Sequence, residues 1–303
     1  MRYRFYTADV FTEVPFTGNQ LAVFPDAGGL PPSRMQQIAR EFNFPETVFV
    51  LPPDRRECSH RLRIFNPTVE MPFAGHPTIG AAHVLATLDA IRLRNGQADV
   101  LLEEPVGAVP VTVWGEQGRP TRARLRVAQL PTEEAAPPAG ALAAMLGLAP
   151  DDLAGGAMSP ALVSCGMPFI MVPVRSSDAV ARARADAERF AATLDGVASD
   201  KVFVFAMSAT GGADVHARMF SPASGIPEDP ATGSAAAALG GYLAQRQPGR
   251  DGRFAWSIAQ GLEMGRPSRL TVDVEQQAGR VTDVAVGGSA VIVTEGEMEV
   301  PEP

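Results

Sequence analysis

The feature that most constrains this chain is a motif written twice, about half a chain apart. Arg63-Ile-Phe-Asn-Pro67 runs on to Phe73-Ala-Gly-His76, and Arg218-Met-Phe-Ser-Pro222 runs on to Ala231-Thr-Gly-Ser234. Ahead of each Phe-x-Pro the residues alternate, Leu62 and Ile64 against Arg61 and Arg63, then Val215, Ala217 and Met219 against His216 and Arg218, which is strand spacing. After each glycine comes a run of small, helix-favouring residues, 79–85 and 235–239, with too little polar surface for a solvent-facing helix. Each copy therefore reads as strand, turn, loop and helix start, with the helix enclosed by strands. The second copy carries three extra residues between its Pro and its Gly, and Pro227-Glu-Asp229 reads as that insertion. Two helix starts, each offering a glycine and one polar side chain, would together make a site.

A repeat of this period in 303 residues with 46% hydrophobic content implies two similar domains, each with a core of ordinary size. The formal charge of −8, with no Lys/Arg cluster to override it, argues against a nucleic-acid partner. No apolar run approaches the roughly 20 residues that span a bilayer, and Met1-Arg-Tyr-Arg-Phe5 has no signal-peptide pattern, so no membrane partner and a cytoplasmic location are expected. Cys58 and Cys165 lie in opposite halves without metal or CxxC spacing and read as reduced structural thiols.

Strands are predicted at 3–10 and 20–24, joined by the turn-rich Pro15-Phe-Thr-Gly-Asn19. Ser33 with Gln36 suggests a capping box opening a helix that runs to Phe42. After the apolar corner Phe44-Pro45, Glu46 stands at the mouth of the β-branched strand 47–51. Further strands are predicted at 59–65, 99–103, 108–114 and 122–128, and the proline-rich 131–138 reads as a linker. The second half shows strands near 161–165, 169–174, 201–207, 214–220, 256–260, 269–275, 281–286 and 289–294, with helical stretches at 140–147 and 177–194. Few strands and helices alternate in βαβ fashion, so a doubly wound parallel sheet is not expected. The pattern fits an α+β chain of two antiparallel sheets, each curled around one central helix.

The glycine loops do not fit a nucleotide motif. Gly75-x4-Gly80 is followed by Ala81 where a P-loop needs Lys, and no GxGxxG follows a strand. A smaller anion, a carboxylate, suits the free N–H groups near Gly75 and Gly233. Those glycines could equally serve only tight turns. Of the four histidines, His76 and His83 lack the i, i+4 spacing of a zinc pair, so no metal is expected. His83 reads as a helix residue with a local partner and His216 as mid-strand. His76, at a helix start, should be a neutral imidazole disfavoured as a cation by the helix dipole. Ser234 is its counterpart and could be a plain N-cap; no G-x-S-x-G makes it a nucleophile. Cys165, among apolar neighbours, should be a blunted thiol. Asp229 precedes the second helix start. Glu46, if its apolar corner buries it, would have a pKa raised toward the range useful for moving protons to and from carbon; the plainer alternative is a solvated carboxylate.

The segments Phe16-Thr-Gly-Asn-Gln-Leu-Ala-Val-Phe24, Glu46-Thr-Val-Phe-Val50, Pro72-Phe-Ala-Gly-His-Pro77, Arg218-Met-Phe-Ser-Pro222, Glu228-Asp-Pro-Ala-Thr-Gly-Ser-Ala235 and Gln260-Gly-Leu-Glu-Met-Gly-Arg-Pro-Ser268 resemble the phenazine-biosynthesis isomerase (PhzF-like) family. The resemblance implies the diaminopimelate epimerase-like fold, two pseudo-symmetric domains of β-sheet barrels around central helices, with the site in the cleft. The final strands of this fold commonly return to the first domain, giving expected domains of 1–126 plus about 288–303, and 127–287. Epimerases of the fold carry a cysteine before each helix-start glycine, where this chain has Ala74 and Thr232, so two-thiol racemisation lacks its groups. By resemblance Glu46 is the catalytic acid/base, with His76 and Asp229 beside the reacting substrate. Gly75, Gly233, Ser234 and Asn19 then bind it. The family implies a small carboxylate-bearing substrate, a dihydro-hydroxyanthranilate in the characterised isomerase, with no cofactor, and a homodimer. One departure, Met167-Pro-Phe169 where the phenazine enzyme has an Arg-His pair, bears on the substrate. A non-catalytic small-acid binder and a related epimerase or dehydratase are the alternatives.

Overall fold

The fold was obtained as a computed structural model that describes residues 1–207, 210–247 and 251–301. The chain divides into two compact units, Met1–Arg126 with Gly287–Pro303, and Val127–Val286.

The first unit opens with β1 (Arg2–Val10), β2 (Asn19–Phe24), α1 (Pro32–Phe42), β3 (Glu46–Leu51), β4 (His60–Phe65) and β5 (Glu70–Met71). It continues with α2 (Gly75–Thr87), β6 (Gln97–Glu104), β7 (Gly107–Glu116) and β8 (Arg119–Arg126). Most neighbours are antiparallel, but β2 runs parallel to β3 and β4 parallel to β6. A parallel pair needs a crossover, and the two helices supply them, α1 between β2 and β3, α2 between β4 and β6. α1 is amphipathic and sets Met35, Ile38 and Ala39 against Tyr3, Phe24, Phe49 and Phe65. α2 is apolar all round and buried from Gly75 to Ala86, as a helix enclosed by its own sheet must be. Its Gly80 is a packing requirement: a Cβ there would lie 2.5 Å from Leu21 Cδ2 and 2.7 Å from Val10 Cγ2.

The second unit repeats this plan. It contains β9 (Thr132–Ala135), α3 (Ala139–Met145), β10 (Ala161–Ser164), β11 (Pro168–Pro173), α4 (Ser177–Arg182), α5 (Ala187–Leu194) and β12 (Val202–Met207). After these come β13 (Val215–Ser221), β14 (Ile226–Asp229), α6 (Gly233–Gln245), β15 (Gly252–Gln260), β16 (Ser268–Gln277) and β17 (Arg280–Gly288). Here β11 runs parallel to β12 and β13 to β15, with α4–α5 and α6 as the crossovers. α6 is buried along nearly its whole length, and Phe190 of α5 and Leu142 of α3 anchor a separate apolar cluster with Ile170, Val172, Val204 and Phe220. The last strand, β18 (Ala290–Glu299), pairs antiparallel with β1, the place that β9 takes beside β10 in the second unit.

Several sequence expectations need correction. α1 starts at Pro32 after Pro31, so Ser33 is inside the helix and no capping box forms; Gln36 instead donates to the Asn66 carbonyl at 2.8 Å. The proline-rich 131–138 is not a linker, because Thr132–Ala135 is the strand β9, paired with β10. The single stretch 177–194 is two helices, each opened by a capping side chain, Ser176 and Asp186. The three-residue insertion also lies elsewhere. Arg63 makes a two-pronged bond to Glu70, at 2.7 and 2.6 Å, and Arg218 makes the same bond to Glu228, both at 2.7 Å. Glu228 is therefore the counterpart of Glu70 and Asp229 of Met71, and the extra residues fall earlier, at the 3-10 turn Pro222–Ser224 and the left-handed Gly225.

Candidate active site

In the first unit, β3 delivers Glu46 at its first position, and α2 delivers His76 one residue after its first glycine. Glu46 Oε2 lies 3.2 Å from His76 Nε2, with side chains 14% and 7% exposed, so the carboxyl is largely withdrawn from water. The approach is close without the alignment of a full hydrogen bond. Asn19, at the start of β2 and fully buried, brings its amide nitrogen to 3.4 Å from His76 Nδ1. Burial pushes the His76 imidazole down to about 3, against a smaller opposing contribution from the Gln20 backbone. The ring is neutral at pH 7, as the sequence suggested, with burial as the largest cause.

The helix start around it is bare. Ala74 is the N-cap of α2 and offers no side-chain acceptor, while Pro77 has no N–H, so the helix itself leaves the amides of Gly75 and His76 without acceptors. An anion cradle at Gly75 would need free amides of this kind.

In the second unit the counterpart is built differently. Thr232 is the N-cap of α6, Gly233 is its first residue, and Ser234 follows, partly exposed. The Thr232 hydroxyl does not cap its own helix but donates to Asp229 Oδ2 at 2.5 Å. Asp229 ends β14 and is 8% exposed. Gln260, the fully buried last residue of β15, ties this loop together: Nε2 donates to the Asp229 carbonyl at 2.8 Å and to Thr232 Oγ1 at 3.0 Å, and Oε1 accepts from the Thr232 amide at 3.1 Å. Sequence reasoning missed Thr232 and Gln260 as organisers of this loop. Gln260 opens one of the quoted segments, but only the parallel β13–β15 pairing shows why it reaches Asp229.

The remaining candidates take structural places. Burial raises the Cys165 thiol to about 12, and Cys58 is raised too, first by burial, so neither is a nucleophile. His83 is buried and pushed down to about 4, and its Nδ1 has no hydrogen-bond partner among the described residues, contrary to the local partner expected of it. His216 is buried 3.1 Å from Glu263. Phe169, in the stretch expected to bear on specificity, points into the core of its unit. Among the described residues no group of His, Cys, Asp or Glu is arranged to hold a metal, and no helix is long and apolar enough to cross a membrane.

Comparison with known proteins gives the family and the fold. Residues 8–296 match the family described as phenazine biosynthesis-like protein. An uncharacterized isomerase of Mesorhizobium japonicum is 40% identical over 96% of each chain. The trans-2,3-dihydro-3-hydroxyanthranilate isomerase of Pseudomonas aeruginosa is 35% identical over 97% of this chain and 98% of its own. Among solved structures, a PhzF-family protein of Bacillus anthracis superposes with a TM-score of 0.88 at 27% identity, covering 99% of this chain and 100% of that one. A protein described as a probable proline racemase, from Agrobacterium radiobacter, shares the fold at a TM-score of 0.65 and 14% identity, over 99% of this chain and 93% of its own. The chain is a member of the phenazine biosynthesis-like family, an isomerase of the PhzF type with an epimerase-like fold.

Proposed function

We infer that this isomerase moves a proton between two carbons of a small, carboxylate-bearing substrate, with Glu46 as the sole acid/base and no cofactor required. The observation that carries this reading is the withdrawn Glu46 carboxyl held against a buried, neutral His76. In the proposed step the Glu46 carboxylate takes a proton from a carbon next to an activating group. The C–H electron pair moves into the conjugated system, and the same carboxyl returns the proton to a second carbon, so the formula of the substrate is unchanged. His76, neutral and steadied by Asn19, orients the substrate without adding a positive charge beside the acid. Asp229 is assigned to the substrate amine or hydroxyl, and Ser234 with the amides near Gly75 and Gly233 to its carboxylate and to developing negative charge.

The first substrate to try is trans-2,3-dihydro-3-hydroxyanthranilate, named for the Pseudomonas aeruginosa relative. Incubation in deuterated water, with wild type and Glu46→Gln side by side, should show double-bond migration and label at carbon with the wild type. The Gln variant should lose roughly 10²–10⁴-fold of that rate, the usual contribution of a positioned acid/base. Label entering at an equal rate with both proteins would refute the assignment. A plain binder of small acids would gain melting temperature with ligand and incorporate no label.

A further inference from the structure

Glu104, the last residue of β6, has no part in the chemistry above, yet it is 3% exposed and reaches the first turn of α2. Its Oε1 lies 2.6 Å from Thr78 Oγ1, and the same hydroxyl lies 2.7 Å from the carbonyl oxygen of Ala74, the N-cap residue. Both are hydrogen-bond distances for oxygen pairs, and without a proton each would be repulsive. The Thr78 hydroxyl has one proton, and the Ala74 carbonyl has none. A protonated carboxyl would supply the second proton.

We propose that Glu104 is a positioning residue protonated at neutral pH, whose O–H donates to Thr78 so that Thr78 can donate to Ala74 and fix the helix start that carries Gly75 and His76. Two further observations agree. Glu104 Oε2 is buried without a hydrogen-bond partner among the described residues, which a neutral carbonyl oxygen tolerates far better than a carboxylate. Burial also raises this group to about 8, with the Thr78 hydroxyl opposing. No charged neighbour enters that balance. On α2, His76 and His83 are both neutral. On β6 itself, Glu103 accepts from the amides of Asp54 and Arg55, away from this turn. On β4, His60 and Arg61 pair in register with Leu102 and Glu103, and Arg61 is engaged with Asp54. β7 faces Glu104 with Gly107 in register.

If Glu104 ionises, Thr78 must donate to it and the Ala74 carbonyl loses its side-chain donor, so the α2 start is released in alkali. The positioning role rests on the reading of His76 as a substrate contact, but the protonation does not, and the test uses no substrate. The imidazole resonances of His76, assigned by comparison with His76→Asn, are followed from pH 6 to 10 in wild type and Glu104→Gln. The wild type should show a shift with a midpoint near 8, although His76 itself does not titrate there. Glu104→Gln, neutral at every pH and still able to donate, should hold the low-pH position throughout. The same alkaline shift in both proteins, or none in the wild type, would overturn the proposal. If the variant does not fold, infrared spectra of wild type labelled with 13C-glutamate decide alone. A protonated-carboxyl stretch present at pH 6 and lost by pH 10 supports the proposal, and its absence at pH 6 refutes it.

Discussion

The two copies of the Arg–Glu fork should differ sharply in what they contribute to stability. Arg218 is 5% exposed in its side chain; besides Glu228 it donates to three carbonyls, of Val180, Ala181 and Ala183, at 3.2, 3.2 and 2.7 Å. Those carbonyls end α4, so the guanidinium closes that helix as well as binding the carboxylate. Glu263 Oε2 lies 3.8 Å from Arg218 Nε, and burial works against its charge, but the His216 contact and the Arg218 charge help to outweigh it and hold its carboxyl below the usual range. Replacing Arg218 by Met would keep much of the volume and leave Glu228 and Glu263, 16% and 18% exposed, without their cation. Breaking a buried pair from one side costs about 3–5 kcal/mol, and the uncapped carbonyls add to it. Arg63 and Glu70 are 21% and 32% exposed, where water screens the charge, so Arg63→Met should cost only about 1 kcal/mol. Urea unfolding of the two variants at pH 7, with unchanged slopes, reads the difference directly. Equal losses from the two substitutions would show that the fork alone sets the energy, and that burial and the α4 carbonyls do not.

Acid should destabilise the fold through its buried histidines. His76 and His83 have folded values, about 3 and about 4, below the unfolded 6.5, so the unfolded chain binds more protons in that window and stability falls as pH drops below 6.5. His83→Gln should remove about 2–3 kcal/mol of the wild-type loss between pH 7 and 4.5 in urea titrations; an unchanged loss would place that proton elsewhere. Gly80→Ala should destabilise by about 1–2 kcal/mol, since overlap with the buried Leu21 and Val10 outweighs the better helix propensity, while Gly140→Ala, exposed in α3 with open space around it, should stabilise by about 0.5–1 kcal/mol. Thermal melts that moved both variants in one direction would contradict the packing argument.

Much of this architecture was legible because the duplicated stretch has strong local chemistry. The alternation ahead of Phe65 and Phe220 and the small residues after Gly75 and Gly233 fixed strand and helix in place. What escaped was set by partners distant in sequence. Thr132–Ala135 is exposed and unpatterned, and becomes a strand only because β10 pairs with it. The true site of the insertion needed Glu228 to be seen on Arg218, and the Asp229 loop needed Gln260, which is 31 residues away. Glu46 was an ambiguous acid in the sequence because nothing local decides its burial; His76, 30 positions on, does.

The duplication also bears on the chemistry, because it shows what was not duplicated. In β3 Thr47 pairs with Phe65, and in β12 Val202 pairs with Phe220, the equivalent residue of the second copy. One step back along each strand, the counterpart of Glu46 is Lys201, the only lysine in the chain, engaged by Asp200 at 2.8 Å. At the helix starts, Ala74 answers to Thr232 and His76 to Ser234, and none of them is the cysteine that two-thiol racemisation uses. A racemase that works with a base on each face of a carbon needs matching acid/base groups from the two copies, and here the position equivalent to Glu46 in the second copy holds a lysine and not a carboxylate. On the function proposed above, removal and return of the proton fall to Glu46 alone, acting on one face of the substrate. A shift of hydrogen along a molecule can meet that requirement, and the two-base inversion of a stereocentre cannot.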